Sequence, residues 1–169
     1  MKVFILAAQT ADGYVGRNAT HLAHTWTTYE DKRLFTWITK WAHVMVVGGN
    51  TYRTFDRDLP GRRLIVYTRS QHAPKDNVEF TSEPPEQLLS RLEKEGVKGV
   101  AICGGTQIYD LFMQSGLVQE LYITIQPKLF GAGISLFQTS LDLDLKLDEA
   151  QVSTKDDTVI LHYLVSPKP

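Results

Sequence analysis

Cysteine is almost missing from this sequence: its 169 residues contain one, Cys103. A disulfide framework, a CxxC redox pair and a cysteine-rich zinc site are thereby excluded, and the composition fits a reducing, cytoplasmic compartment. Long apolar runs are missing too. No stretch approaches the roughly 18 residues of a membrane-spanning helix, so no membrane partner is expected. The opening MKVFILAAQTADG breaks off after about seven apolar residues into polar residues and glycine, and reads as a buried first strand rather than a signal peptide. Charge of one sign is also lacking. Lys plus Arg is 18 and Asp plus Glu is 19, a net charge of −1. This excludes a nucleic-acid binder driven by bulk charge and leaves room only for local basic patches. No repeat, linker or low-complexity segment interrupts the chain, so residues 1–169 read as one domain.

What is present is a series of short, β-branched apolar runs: Val3–Ala8, Val44–Val47, Leu64–Tyr67, Val100–Cys103 and Leu121–Ile125. They are continuous rather than alternating, which predicts strands covered on both faces. Helical spacing lies between them. Tyr29–Trp41 carries Leu34, Trp37, Ile38 and Trp41 at core spacing, and Thr27 with Glu30 reads as its capping box. Pro84–Glu95 has Leu88, Leu89 and Leu92 on one face and Gly96 as its stop; a third helix follows Gly105 and ends at Gly116. Leu143–Val152 and Thr158–Val165 read as alternating strands of a C-terminal hairpin. The expected fold is α/β: a mixed, mainly parallel central sheet flanked by helices, with an antiparallel hairpin at its end.

Four features point to chemistry. Two strands run into glycine pairs that open helices, Gly48-Gly49-Asn50-Thr51 and Gly104-Gly105-Thr106-Gln107. Bare backbone N–H groups at such turns suit a phosphate, although neither segment matches GxGxxG or the P-loop. Glu30 and Asp31 both fall on the inner side of the Tyr29 helix. Glu30 has a structural role as the partner of Thr27; Asp31 has none and sits one turn from Phe35. A carboxylate on an apolar stripe must find a donor or accept a raised pKa, which makes Asp31 a candidate for binding an amidine-like group or delivering a proton. Finally, the turn Leu59-Pro60-Gly61-Arg62 offers an Arg able to grip a carboxylate through a bidentate pair. His21 and His24 form a weak metal signal and read as solvated loop residues, so no metal site is expected.

Taken in order and register, these residues resemble dihydrofolate reductase. Ala7-Ala8 followed by Asp12-Gly13-Tyr14-Val15-Gly16 is similar to that family's first strand and active-site loop. Trp26, Asp31 and Phe35 match its spacing of Trp, acid and aromatic residue. Gly48 with Thr51, Leu59-Pro60-Gly61-Arg62, Cys103-Gly104-Gly105 with Tyr109, and Leu121-Tyr122-Ile123-Thr124 match four further segments. Departures stand beside them. The loop from Gly16 to Trp26 is longer and lacks a Met-Pro-Trp run, Lys32 adjoins the acid, and Gly49 replaces a phosphate-reading Arg or Lys. The segment Gln126 to Gly133, with Leu136-Phe137, resembles instead the reductase domain of the riboflavin-biosynthesis deaminase/reductase.

The resemblance implies NADPH-dependent reduction of dihydrofolate, with hydride to C6 and a proton to N5. Asp31, Thr124 and Trp26 are then the catalytic candidates. Leu6, Ala7, Phe35, Phe55 and Arg62 join Asp31 and Thr124 around the substrate, Arg62 holding its glutamate carboxylate. Asp31 stands too far from N5 in the family's geometry to donate directly, so a water gated by the loop is the implied donor. The implied cofactor residues are Ala8, Val15, Gly16, Gly48, Gly49, Asn50, Thr51, Tyr67, Thr68, Arg69, Cys103, Gly104, Gly105, Thr106, Gln107, Ile108 and Tyr109. Among them Arg69 is the candidate for the 2′-phosphate, and the Gly104–Gly105 bond is expected to be a non-proline cis peptide. The alternatives are a reductase of 5-amino-6-ribosylaminouracil 5′-phosphate and a non-catalytic NADPH sensor. A monomer or a homodimer is implied, with no nucleic-acid partner.

Overall fold

A computed structural model describes residues 1–55, 59–70, 73 and 75–166. The strands are β1 (Lys2–Thr10), β2 (Tyr14–Gly16), β3 (His43–Gly48), β4 (Arg63–Tyr67), β5 (Val78–Thr81), β6 (Gly99–Ile102), β7 (Glu120–Gln126), β8 (Ile134–Ser135), β9 (Leu145–Val152) and β10 (Val159–Val165). The helices are α1 (Tyr29–Ala42), α2 (Gly49–Arg53), α3 (Pro85–Lys94) and α4 (Thr106–Gln114). Eight strands form one sheet in the order β5-β4-β3-β6-β1-β7-β10-β9. Pairing from β5 through β7 is parallel, and β10 is antiparallel to both of its neighbours. β10 alone therefore runs against the rest. The expected mixed, mainly parallel sheet with a terminal hairpin is the architecture found.

The continuous apolar strands work as their composition requires. In β1, Val3, Ile5 and Ala7 pack into one cluster with α3 and α4, while Phe4 and Leu6 pack into another beneath α1. A strand that buries both faces has no position for a polar residue until it leaves the sheet. Gly96 and Gly116 adopt φ of +80° and +72° just past α3 and α4, the left-handed conformation that terminates helices.

Two expectations need correction. Trp37 and Trp41 are 65% and 45% exposed. The buried side of α1 is Glu30, Ile38, Thr39 and Ala42, with Leu34 and Phe35 half buried, so the stripe is rotated by about one residue from the one the tryptophans suggest. β9 does not alternate: all eight of its residues are exposed, and it lies at one end of the sheet, paired only with β10. The short elements β2, β5 and β8 carry no periodic apolar signal, whereas α2 opens at the Gly48-Gly49 pair as expected. Among the described residues no helix is long and apolar enough to cross a membrane.

Candidate active site

The first turn of α1 sets the acid. Its N-cap is Thr28 and not Thr27: Thr28 is extended at φ −80°, ψ 176°, and its hydroxyl accepts the Asp31 N–H at 3.4 Å. Thr27 is buried and turns its hydroxyl to the Asp31 carboxylate. Glu30 does not complete a capping box either. It is buried, it receives Arg33 Nε at 2.8 Å, and its backbone N–H donates to Asp156 Oδ2 at 2.9 Å. The helix is thus capped partly from the β9–β10 turn, a partner 126 residues away. Desolvation pushes the Asp156 carboxyl up, yet the Glu30 N–H, the Ser153 hydroxyl and Thr158 outweigh it and hold the group at about 2.

Asp31 meets β7 across the sheet. Thr124 pairs with Ala8 in the β1–β7 register, is fully buried, and donates its hydroxyl to Asp31 Oδ1 at 2.5 Å. Burial raises the Asp31 carboxyl above its ordinary range. The hydroxyls of Thr124 and Thr27 and the charge of Lys32 pull against that rise, and Asp156 adds to it.

Around the acid is an apolar wall. Leu6, Phe35 and Cys103 share the cluster beneath α1; Phe35 and Cys103 also reach a second cluster that includes Phe55 and Leu59. Ala7 faces the opposite cluster. Burial pushes the Cys103 thiol well up, consistent with an apolar role, and Arg62 is close enough to oppose this. Arg62 follows the turn at Gly61, where φ is +74°. It is only 7% exposed and donates Nη1 to Thr39 Oγ1 on α1 at 3.2 Å.

Trp26, 6% exposed, lies under the long loop. His21 stacks on it, Phe130 meets it edge-on at 5.2 Å, and Arg17 lies over Phe130 at 4.3 Å. His21 is therefore packed rather than merely solvated, its Nδ1 accepting the Arg17 N–H. Among the described residues no group of His, Cys, Asp or Glu is arranged to hold a metal.

The two glycine turns lie side by side. Cys103 N–H donates to Val46 O at 2.8 Å, and Gly48 N–H to Gly104 O at 2.7 Å. The Gly104–Gly105 peptide bond is cis, and Gly104 has φ +103°. A Cβ at Gly48 would stand 3.0 Å from Ile108, one at Gly104 3.0 Å from the Tyr109 hydroxyl, and one at Gly105 3.1 Å from the Thr51 hydroxyl. Tyr109 is buried and donates to Leu6 O at 2.9 Å, tying this turn to β1. Thr106 donates to Ser135 O, while Gln107 is exposed. Asn50 pairs with Arg53. Tyr67 stands beside Gly48 in the β3–β4 register, Thr68 accepts the Ser70 N–H, and Arg69 is exposed. Val15 and Ala8 are partly buried; Gly16 is buried where β2 passes β8.

Three polar residues shape this region although the sequence pattern assigns them no individual role. Asp12 accepts the N–H groups of Phe130 and Gly131, pinning the first loop to the β7–β8 connection. Buried Asp110 accepts Gln138 N–H and the Thr139 hydroxyl. Gln126 is fully buried behind Thr124. Only Asp12 left a local signal, the Asp-Gly turn.

Comparison with known proteins bears on the family and the fold. The dihydrofolate reductase family model matches residues 2–158. A Caenorhabditis elegans protein provisionally assigned as a dihydrofolate reductase is 24% identical over 171 residues, covering 94% of this chain and 89% of that protein. In fold, the chain is similar to a Shewanella sp. PV-4 protein provisionally assigned to riboflavin biosynthesis, with TM-score 0.83, 21% identity, and 98% and 99% of the two chains covered. It is also similar to a Thermotoga maritima diaminohydroxyphosphoribosylaminopyrimidine deaminase/5-amino-6-(5-phosphoribosylamino)uracil reductase, with TM-score 0.76 and 16% identity; 98% of this chain aligns with 56% of that one. With the family model spanning nearly its whole length and the fold in agreement, the chain belongs to the dihydrofolate reductase family of oxidoreductases.

Proposed function

We propose that this protein reduces 7,8-dihydrofolate to 5,6,7,8-tetrahydrofolate using NADPH. The observation that carries the reading is the Asp31 carboxylate. It sits half-buried on an apolar wall, yet is supplied with hydroxyl donors by Thr124 and Thr27. A 2-amino-4-oxopyrimidine edge presents two adjacent N–H groups, and one carboxylate accepts both. Thr124 and Asp31 form the polar floor; Leu6, Phe35 and Phe55 supply flat contacts for the rings, with Ala7 beside Leu6 in β1. Arg62 serves the substrate's carboxylate. Trp26 closes the site under the loop. The negative charge of Asp31 favours a proton arriving at N5, which reaches it through water rather than from the carboxyl itself.

When bound, NADPH supplies the hydride. The glycine turns fit such a group: Cβ atoms at Gly48, Gly104 and Gly105 would crowd Ile108, Tyr109 and Thr51, so the backbone stays bare at the start of α4. The residues that would hold it are Gly48, Gly49, Asn50, Thr51, Cys103 and Gly104 to Ile108 at the diphosphate. Ala8, Val15, Gly16 and Tyr109 would lie at the nicotinamide, and Tyr67, Thr68 and Arg69 at the adenosine side.

A second reading, reduction of 5-amino-6-ribosylaminouracil 5′-phosphate, draws on the Pro127 to Phe137 segment and on the likeness in fold to the Thermotoga protein. A turnover panel separates them: each substrate with NADPH or NADH, following loss of reduced nicotinamide absorbance. Dihydrofolate turnover abolished in Asp31→Asn supports the proposal. Turnover of the pyrimidinone phosphate alone replaces it with the second reading. NADPH binding with neither substrate consumed would mark a nucleotide sensor.

A further inference from the structure

Gln126 ends β7 opposite Thr10 of β1, and both residues are fully buried. A buried amide costs stability unless both ends are hydrogen-bonded, and here both are. Its Oε1 accepts the backbone N–H of Thr28 at 2.8 Å, and its Nε2 donates to Thr124 Oγ1 at 3.1 Å. The chemistry of the partners fixes this orientation. A backbone N–H can only donate, so the amide atom facing Thr28 must be the oxygen. The amide nitrogen then faces Thr124 and has no lone pair to offer, so the Thr124 oxygen must accept. Its one hydroxyl proton is left for Asp31 Oδ1 at 2.5 Å.

The relay closes on itself. Thr28 is the N-cap of α1; its own hydroxyl accepts the Asp31 N–H and bonds the buried Thr158 hydroxyl at 2.6 Å. The first turn that carries Asp31 therefore also orients the amide that orients the donor to Asp31.

We infer that Gln126 is a positioning residue for this site: by donating to Thr124 it commits the Thr124 hydroxyl proton to Asp31 and keeps Oδ1 an acceptor. That this tunes a reaction on a pterin rests on the function proposed above; the relay itself does not. The other groups that face Asp31 are the Thr27 hydroxyl, Lys32 on the same helix, Asp156 from the β9–β10 turn and the buried Tyr109 of α4. The Thr124 bond works against the effect of burial on Asp31, so loosening it moves the carboxyl's titration upward.

The test is a double-mutant cycle of Gln126→Met and Thr124→Val, read by carbon-13 NMR titration of the Asp31 carboxyl in the unliganded protein. Gln126→Met should raise the midpoint by about half a pH unit or more in the wild-type background. In the Thr124→Val background the same change should move it by less than about 0.2 unit, since the residue acts through that hydroxyl. The acidic limb of the kcat/KM profile with dihydrofolate should shift with the midpoint. An unchanged midpoint, or equal shifts in both backgrounds, overturns the inference. Absence of dihydrofolate turnover in wild type would refute the proposed function while leaving the titration result in force. Should Gln126→Met not fold, the wild-type protein decides: slow exchange of the Gln126 amide protons and a contact between one of them and the Thr124 hydroxyl proton are expected, and solvent-like exchange of both overturns it.

Discussion

The backbone N–H of Gly48 donates to the carbonyl of Gly104 at 2.7 Å. This bond joins two turns that are 56 residues apart in sequence and lie at the carboxyl ends of the adjacent parallel strands β3 and β6. In open α/β sheets, ligands bind outside those ends. The two turns make one bare surface because the sheet order places them next to each other.

That surface yields a gain-of-function prediction. A Cβ at Gly49 would meet only ordinary contacts, the nearest being Tyr67 O at 3.7 Å. Gly49→Arg should fold normally and add a cation beside Thr68 and Arg69. We expect the KM for NADPH to fall about five- to tenfold with little change for NADH. Steady-state kinetics with both nucleotides check this, and equal effects on the two would remove the adenosine phosphate from this corner.

Asp31→Asn should separate activity from stability. Turnover of dihydrofolate at neutral pH should fall about 100-fold or more. The folded protein disfavours the charged form of Asp31, because burial raises its pKa above the ordinary 3.8. Ionising this group therefore costs stability above the raised value, and Asn avoids that cost while still accepting from Thr124. The variant should melt at a higher temperature at neutral pH, with the gain shrinking as pH falls through the raised pKa towards about 4. Glu30→Gln, which weakens the bond between the buried Glu30 carboxylate and the exposed Arg33, should lower stability modestly and leave turnover largely intact. Thermal melts across pH, paired with turnover, test both neighbours; similar small effects from the two would reverse their assignment.

Arg62→Leu should act on substrate binding. The side chain is held against Thr39 and sits near Cys103 on the proposed substrate wall. The KM for dihydrofolate is expected to rise about tenfold or more, with that for NADPH within about twofold. A rise shared by both would indicate a folding role for the buried guanidinium.

The far edge of the sheet predicts acid sensitivity. Glu79 on β5 pairs with Arg63 of β4 and Arg91 of α3. Partial burial pushes its carboxyl up, but the bonds to Arg63 and Arg91 outweigh this and hold it below the usual 4.5. A depressed folded pKa means a contribution present above about 4.5 and lost as pH falls through the lower folded value. Glu79→Gln should cost on the order of 0.5–1 kcal/mol at neutral pH and low salt, and flatten the acid limb of stability. Chemical denaturation at several pH values and salt concentrations measures this; an unchanged acid limb would assign the sensitivity elsewhere.

Much of the fold and part of the site were legible in the sequence. Continuous β-branched runs marked the buried strands, Gly96 and Gly116 marked helix ends, and the place of Asp31 on the apolar stripe, one turn from Phe35, marked it as a candidate acid. These are local signals, set by backbone sterics and by the period of one strand or helix. They failed where two local answers were nearly equal: Thr27 against Thr28 as the cap, and a helix stripe centred on Trp37 against one rotated onto Ile38 and Thr39.

What the tertiary structure alone decided were the partners of polar groups. Thr124 reaches Asp31 across 93 residues and Asp156 caps α1 across 126. Gln126 resembles any strand-end polar residue until the sheet closes over it. A hydrogen bond has no preferred sequence separation, only a required distance and direction, so local pattern cannot specify it. The chain by itself determined which strands had to be buried on both faces; the packing of α1 on the sheet determined which side of that helix is buried and which buried polar atoms face one another.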